Sequence, residues 1–508
     1  MSDVSVSELQ ATIARLEAER DALQIRNEAI ADELEALKRR LFGRKTEQEP
    51  QSGKSQLFSE DEIAAESAED SDTAETTVRS HTRRARSRKP LPENLEREEI
   101  LLDIPEEEKT CACGHELVRI GEETSEKLDV IPARFRVKRY IRPKYACRNC
   151  EGSGDEDKPA VRVASMPPAI IERGIATPTL LAFIIINKYV DSMPLARQEA
   201  AFARLGVELP RQRMADWVMA VSEAAAPVVA ALSVDLRAGP VMLADETTVQ
   251  VLGEEDRPDT SKSQMWAAYG GLPETPAVLY RYAPSRSTDA ARELVGEFSG
   301  YLQTDGYEAY DRLARDRDDL IHVGCWAHAR RKFFDAKTGS KKTGAAEQAI
   351  AMIAKLYQLE KEHSDMPRDE TFLEARRSKA EPIFASIKKW LDKKALHVPP
   401  STALGKAVSY TLGQWDKLIR YVESPHLTPD TNRIENKIRP FVIGRKNWLF
   451  SGSPRGAQAT AGLYSLLSTA KANGIDPYRY MRTLIGRLPT DSCEEHYRNL
   501  LPYNIELD

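Results

Sequence analysis

Leucine recurs on a seven-residue period at the start of the chain. Leu9, Leu16, Leu23, Ile30 and Leu37 hold one position of the repeat, and Ile13, Arg20, Asn27, Leu34 and Leu41 hold its companion. An apolar seam at d with mixed residues at a favours a parallel two-stranded coil, and a lone Asn at a fixes register and dimer state at some cost in stability. Residues 1–46 are therefore expected to form a coiled coil that makes the protein a homodimer or larger, with Asn27 as the specifying residue. A single amphipathic helix packed on its own chain is the alternative. The period is lost over residues 47–95, and alternation returns in "FRVKRYIRPKYA", which reads like a strand. Residues 165–237 carry helical patterns: a helix to about Leu205, a turn at Gly206, and Pro210 opening a second helix with Trp217 and Val218. That is the layout of a helix-turn-helix with Arg211 and Arg213 at the head of its second helix, although a hairpin that only packs has the same pattern.

From residue 240 the period shortens to that of strands. "VMLADETTVQVL", "QMWAAYGGL" and "AVLYRYAP" form a meander, followed by an amphipathic helix from Ser287 to Phe298. A strand in "GYLQTDGYEAYDRL" ends in Asp305 and Gly306, and a strand in "LIHVGCWAHARRKFFDA" runs into a basic helix. Three antiparallel strands, a helix, a strand, a helix and a strand is the order of a ribonuclease H-like α/β sheet. There the first and fourth strands are neighbours, so Asp245 and Asp305 are expected to converge.

Composition and charge narrow the function. The chain has 508 residues and a mass of 57.0 kDa, enough for about three domains. Its longest apolar run, Leu180 to Ile186, is far short of the ~20 residues that span a bilayer. "MSDVSVSELQ" is no secretory signal, so a cytoplasmic protein with no membrane partner is expected. The net charge of −6 is unevenly spread. Residues 60–75 hold eight acids and no base, and directly after come Arg79, Arg83, Arg84, Arg86, Arg88 and Lys89. Residues 47–95 are expected to be a disordered linker, acidic then basic, whose arginines are candidates for phosphate contact.

Four of the six cysteines stand in two knuckles, "TCACGHEL" with Cys111 and Cys113 and "YACRNCEG" with Cys147 and Cys150. Thiolates so spaced can close a tetrahedral structural zinc site, and metal would supply much of the folding free energy in a region so poor in core residues. The first knuckle is one residue short of the second, which leaves His115 as a competing ligand. The segment between them is basic, with Arg136 and Lys138 among its cations, as suits a DNA-docking ribbon.

A carboxylate in a half-buried strand is costly unless something pairs with it. Two of them in one cleft repel unless a divalent cation lies between, and magnesium takes hard oxygen ligands. A third carboxylate is then expected on a C-terminal helix. Glu435 is the choice: in "TNRIENKIRPFVIGRKNWLFSGSPRGA" it shares a helical face with Asn432, Asn436 and Arg439. Glu423 and Glu381 stand in reserve. His322, Cys325 and His328 are three apart each time, but the strand-to-helix break between them argues against a shared metal, and support beneath the site is the default for Cys325 and His328.

"LADETTVQVL", "LQTDGYEAYD", "HVGCWAHARRKFFDA", "RIENKIRPFVIGRKNWLFSG" and "STAKANGIDPYRY" resemble the blocks of the insertion-sequence sixty-six family of bacterial DDE transposases. The zipper ending in "LFGRKTE" and the cysteine ribbon extend the resemblance over nearly the whole chain outside the linker. It implies Asp245, Asp305 and Glu435 as a catalytic triad holding two magnesium ions, structural zinc, small accessory transposition proteins, and DNA at element ends and target as substrate. Arg330, Arg331, Arg439, Arg445 and Lys446 are then expected to meet phosphates. The family's first knuckle is usually C-x-x-C, and the shorter one here departs from it. The expected organisation is a coil over 1–46, a linker over 47–95 and a DNA-binding zinc ribbon over 96–160. A helical domain follows over 161–238, a ribonuclease H-like catalytic domain over 239–455 with a helical insertion at about 343–422, and a C-terminal helical region over 456–508. A ribonuclease H-like nuclease would share the triad without needing zipper, ribbon or arm. A catalytically idle DNA-binding regulator would bind the ends and cut nothing.

Overall fold

The structure is a computed structural model describing residues 134–146, 161–337 and 344–507, with Arg15, Arg20, Arg97, Glu99 and Lys127 as isolated positions. The expected coil (Arg15 and Arg20 apart, both helical), the linker and the four knuckle cysteines lie outside the described residues. There are two compact units, Phe58–Ile141 and Met1–Leu57 with Arg142–Asp508.

In the first unit, residues 134–141 take no regular element. The strand expected from "FRVKRYIRPKYA" forms only as β1, Lys144–Ala146, which belongs to the second unit and pairs antiparallel with β2, Val161–Val163. Alternation alone does not make a strand: Val137 is 95% exposed and Ile141 79%, so no apolar layer covers the segment.

The second unit is an α/β assembly, mostly helical, around one mixed sheet. Helix begins later than expected, at α1, Pro178–Tyr189, with Thr177 capping its N-terminus. Then come α2, Leu195–Arg204, α3, Arg211–Ala224, and α4, Ala226–Leu236. Gly206 turns the chain at φ +79°, and Glu199 accepts from the Arg211 N–H at 3.0 Å, tying α2 to the head of α3. Met214, Trp217, Val218 and Val221 are buried while Arg211 and Arg213 are exposed. Among the described residues no single helix is long and apolar enough to cross a membrane.

The sheet begins with β3, Val241–Val251, β4, Lys262–Leu272, and β5, Thr275–Ala283, an antiparallel meander. Ser287 caps α5, Thr288–Val295, which stops three residues before the expected Phe298 because Gly296 takes φ +57°. Next are β6, Gly300–Gln303, α6, Glu308–Arg315, and β7, Leu320–Val323. The strand order is β5-β4-β3-β6-β7, with β3, β6 and β7 parallel. Helices α7, Trp326–Asp335, α8, Ala345–Glu362, α9, Glu370–His397, α10, Ala403–Gly413, and α11, Trp415–Ile419, intervene before α12, Asn432–Trp448. Strand β8, Phe450–Ser451, rejoins β3, and α13, Pro454–Ala472, α14, Pro477–Arg487, and α15, Glu494–Asn499, follow.

Helix α13 runs along the outer strand β5. The Thr469 hydroxyl accepts from the Val278 N–H at 3.0 Å, the Ser465 hydroxyl accepts from the Tyr280 N–H at 2.8 Å, and the Asn473 amide donates to the Pro276 carbonyl at 2.8 Å. Side chains of a helix thus complete backbone groups that a further strand would otherwise satisfy.

Candidate active site

Parallel pairing of β3 with β6 covers only Val241–Leu243 against Tyr301–Gln303, and β8 rejoins β3 only at Gln250 and Val251. Between those two pairings the sheet splits. Asp245 stands at the split, half-buried, opposite Ala267 of β4. Asp305 lies two residues past the end of β6 rather than in it, and the last β3–β6 pair before it is Leu243 with Gln303. Crevices outside the carboxyl ends of parallel strands are where α/β sheets bind ligands.

Each aspartate is oriented locally. Asp245 Oδ1 accepts from the Glu246 N–H at 2.8 Å, and Asp305 Oδ1 accepts from the Tyr307 N–H at 2.9 Å. Both charges reach the Tyr310 phenol, which burial first, then Glu246, Asp245 and Asp305, hold well above its ordinary pKa.

Glu246 points the other way, as the two-residue period requires, and is fully buried. It accepts from Arg286 Nε at 2.8 Å and from the Tyr310 hydroxyl at 3.0 Å. Against the desolvation that burial imposes, the Glu246 carboxylate, with Asp305 beyond it, keeps Arg286 more firmly protonated than usual. The Arg286 guanidinium lies 3.6 Å over the Tyr307 ring, and the Tyr307 hydroxyl donates to the Arg286 carbonyl. Glu246, Arg286, Tyr307 and Tyr310 therefore brace the Asp305 turn from beneath. Sequence reading missed this brace; its signal was a second acid in the middle of an apolar strand.

Glu435 arrives from the opposite face. Asp245, Ala267 and Tyr280 form one cross-strand row, and the Tyr280 hydroxyl donates to the Lys437 carbonyl of α12. The second turn of α12 thus meets the Asp245 row at Tyr280, with half-buried Glu435 in the first turn, at the positive end of the helix dipole. Farther along, Arg445 Nη1 donates to the Thr248 hydroxyl at 3.0 Å, so the helix follows β3. Reserve candidate Glu423 is near Tyr301, early in β6, and Glu381 is exposed on α9.

The loop before α12 is fastened at several points. Gln303 Nε2 donates to the Thr428 carbonyl at 2.6 Å, and the Trp326 N–H to the Pro429 carbonyl at 2.9 Å. Arg376 of α9, fully buried, donates at 3.0 Å to each of the Tyr421, Ser424 and Leu427 carbonyls and pairs with Glu360 of α8 at 2.9 Å. Cys325 Sγ accepts from the Thr431 N–H at 3.4 Å and hydroxyl at 3.3 Å. Burial, then the charges of Asp430 and Glu435, push its thiol far up, so it is a neutral acceptor under Glu435. His328 Nε2 is 3.8 Å from Glu435 Oε1. His322 belongs elsewhere: it is buried between the Thr304 hydroxyl and Asp311 Oδ1, both at 2.8 Å, which uses both ring nitrogens. Despite desolvation, hydrogen bonds from His322 and Lys417 lower Asp311 to about 2.

Among the described residues no three His, Cys, Asp or Glu side chains are already grouped as a metal cage. Asp245, Asp305 and Glu435 each offer hard oxygens, which is the chemistry magnesium takes. Of the expected phosphate contacts, Arg136 and Lys138 are exposed, as is Lys446, while Arg330, Arg331 and Arg439 are half-buried. Burial lowers the pKa of Arg331, with Asp335 and Glu435 opposing it. Arg83, Arg84 and Arg86 lie outside the described residues.

Comparison with known proteins covers most of the chain. Residues 173–459 match the model described as "Transposase IS66 family", and residues 108–151 match "zinc-finger binding domain of transposase IS66". Residues 30–100 match "Transposase C of IS166 homeodomain", and residues 465–503 match "IS66 C-terminal element". Among relatives, the uncharacterized protein y4qI of Sinorhizobium fredii is 34% identical over 98% of this chain and 93% of its own length. Proteins y4jD and y4hP of the same organism are 34% and 28% identical, covering 86% and 87% of this chain and 86% and 81% of theirs.

Proposed function

The chain belongs to the IS66 family of transposases, and on that premise we propose that it binds the ends of an insertion sequence and catalyses magnesium-dependent strand cleavage and strand transfer there. Its catalytic carboxylates are Asp245, Asp305 and Glu435, in a ribonuclease H-like domain. What supports the reading is the split between the β3–β6 and β3–β8 pairings: Asp245 stands at it, Asp305 follows the end of β6, and α12, which carries Glu435, covers the same face.

When bound, magnesium would activate the attacking hydroxyl and neutralise charge on the phosphate and the leaving oxygen. The protein's own part is positional. Asp245 and Asp305 present oxygens at a level set by strand register, and Glu435 presents its oxygen from the helix that covers the Asp245 face. The brace of Glu246, Arg286 and Tyr310 stops the Asp305 turn from collapsing toward Asp245. Arg330, Arg331, Arg439, Arg445 and Lys446 of the catalytic domain hold DNA, as do Arg83, Arg84 and Arg86 of the linker and Arg136 and Lys138 of the ribbon; phosphate contacts of this kind position DNA without reading it. Cys111, Cys113, Cys147 and Cys150 carry zinc in the family's zinc-finger segment. The zipper segment pairs two copies, accessory proteins of the element assist, and the protein works in the cytoplasm on the nucleoid.

Purified full-length protein, incubated with magnesium and duplexes spanning the DNA on either side of the gene, should cut at discrete ends and join the released 3′-hydroxyls to a target plasmid. Cutting without joining would make it a nuclease. Tight end binding with no cutting would make it a regulator.

A further inference from the structure

The corner where α12 turns into β8 exposes two apolar side chains on a rigid mount. Four described residues other than glycine have positive φ, and Leu449 is the apolar one, at φ 67° and ψ −51°. These angles approach the strained γ-turn, which glycine would adopt freely. Burial does not account for it: Leu449 is 65% exposed and the adjoining Phe450 45%.

The mount is held on both sides. Gly444 leaves room for the Trp448 ring, since a Cβ there would come within 2.1 Å of it. Trp448 stands edge-on to Tyr189 at 6.2 Å, and Lys188 Nζ lies 4.8 Å from its ring centroid. Beyond the corner, Phe450 and Ser451 pair with Gln250 and Val251. The chain around the corner is cationic: from Asn436 to Ile475 it has no Asp or Glu, with Lys446 exposed three residues before Leu449 and Arg445 on Thr248, while Arg455 beyond it is paired with Glu223.

Resting on the transposase reading, we infer that Leu449 and Phe450 are a wedge that enters a base step of duplex DNA while the cations beside it meet the backbone. Apolar side chains on a positive surface are how proteins unstack and kink a duplex. Leu449 follows Glu435 by fourteen residues along α12, about 20 Å at the helical rise. The unstacked step therefore lies about six base pairs from the bond being cut.

The test uses full-length protein and the same flanking duplexes, each with a single 2-aminopurine moved along the strand. Fluorescence should rise several-fold at one step about six base pairs from the cut. Leu449→Gly with Phe450→Ser should abolish the rise and lower strand joining on the order of tenfold. Leu449→Gly alone, freed of the strained turn, should melt no lower than wild type and already weaken the rise, so lost function is not lost folding. An unchanged rise in the double variant, or no rise at any step while wild type binds and cuts, overturns the wedge. So does loss of self-association in sedimentation with the rise intact, which would make the corner a protein-docking face. A rise without any magnesium-dependent cutting leaves the wedge standing and sinks the reaction instead.

Discussion

The two sides of the site are held by different means. Asp245 and Asp305 owe their places to main-chain pairing: one sits inside an eleven-residue strand and the other just beyond a strand registered against it. Glu435 owes its place to side chains from distant elements, namely Gln303 at the end of β6, Cys325 before α7 and Arg376 on α9. A sheet is cooperative and hard to loosen at one point. A loop tied by a few side chains can come free while the sheet persists.

The largest expected effect removes charge from either side. Asp245→Asn, Asp305→Asn and Glu435→Gln should each lower magnesium-dependent joining on the order of 10³-fold or more, and double variants should lose no more than singles, because such residues act as a unit. Melting temperatures should hold or rise slightly, since each change relieves repulsion between acids. Wild-type joining by Glu435→Gln would take that residue out of the site.

Arg376→Met probes the helix side alone. It leaves Glu360 and three carbonyls without their buried donor, a loss of on the order of 3 kcal/mol. Hydrogen exchange should quicken over residues 420–435 while β3 to β7 stay protected, and joining should fall more than DNA binding. Equal loosening of β3 would break the distinction between the two sides.

Lys188 of α1, against Trp448 at the far end of α12, gives a smaller effect with a definite sign. Burial lowers it to about 8 from 10.5, so below pH 8 it is charged in both states and only the folded state bears the desolvation. That burden fades as pH rises from 8 to 10.5. Lys188→Met should add on the order of 1–2 kcal/mol at pH 7 and flatten the rise in stability over that window. Denaturant unfolding at pH 7 and pH 10 measures it.

Smallest of all is Cys325. Serine keeps an acceptor for Thr431, and alanine leaves its buried N–H unmet, so Cys325→Ala should cost about 1 kcal/mol and Cys325→Ser less. Joining rates should fall in the same order. Equal loss in both would mean that the sulfur does more than accept.

How far these parts could be read in advance follows the same division. Strands β3 to β7 come close to where alternation put them, and the cost of an acid in an apolar strand pointed to Asp245. The fastenings of Glu435 were not legible. Arg376 reads as one more cation on a charged helix, and nothing local pairs it with carbonyls some fifty residues on. Glu246 is as plain in its strand as Asp245, but its partner Arg286, forty residues away, is not. Such pairings depend on how helices dock, which no short period encodes. Residues 134–143 fail in the opposite direction, since alternation was present but a covering layer was not.

Helix α13 has a bearing on the fate of broken gene copies. A chain ending before Pro454 would lose the hydroxyls of Ser465 and Thr469, leaving the Val278 and Tyr280 N–H groups of β5 open. An open edge on a long apolar strand recruits other strands. Truncated products should therefore aggregate and be degraded rather than accumulate as inhibitors that compete for DNA, and light scattering of a chain stopped at residue 453 would show it. Interrupting the gene late would then silence it cleanly.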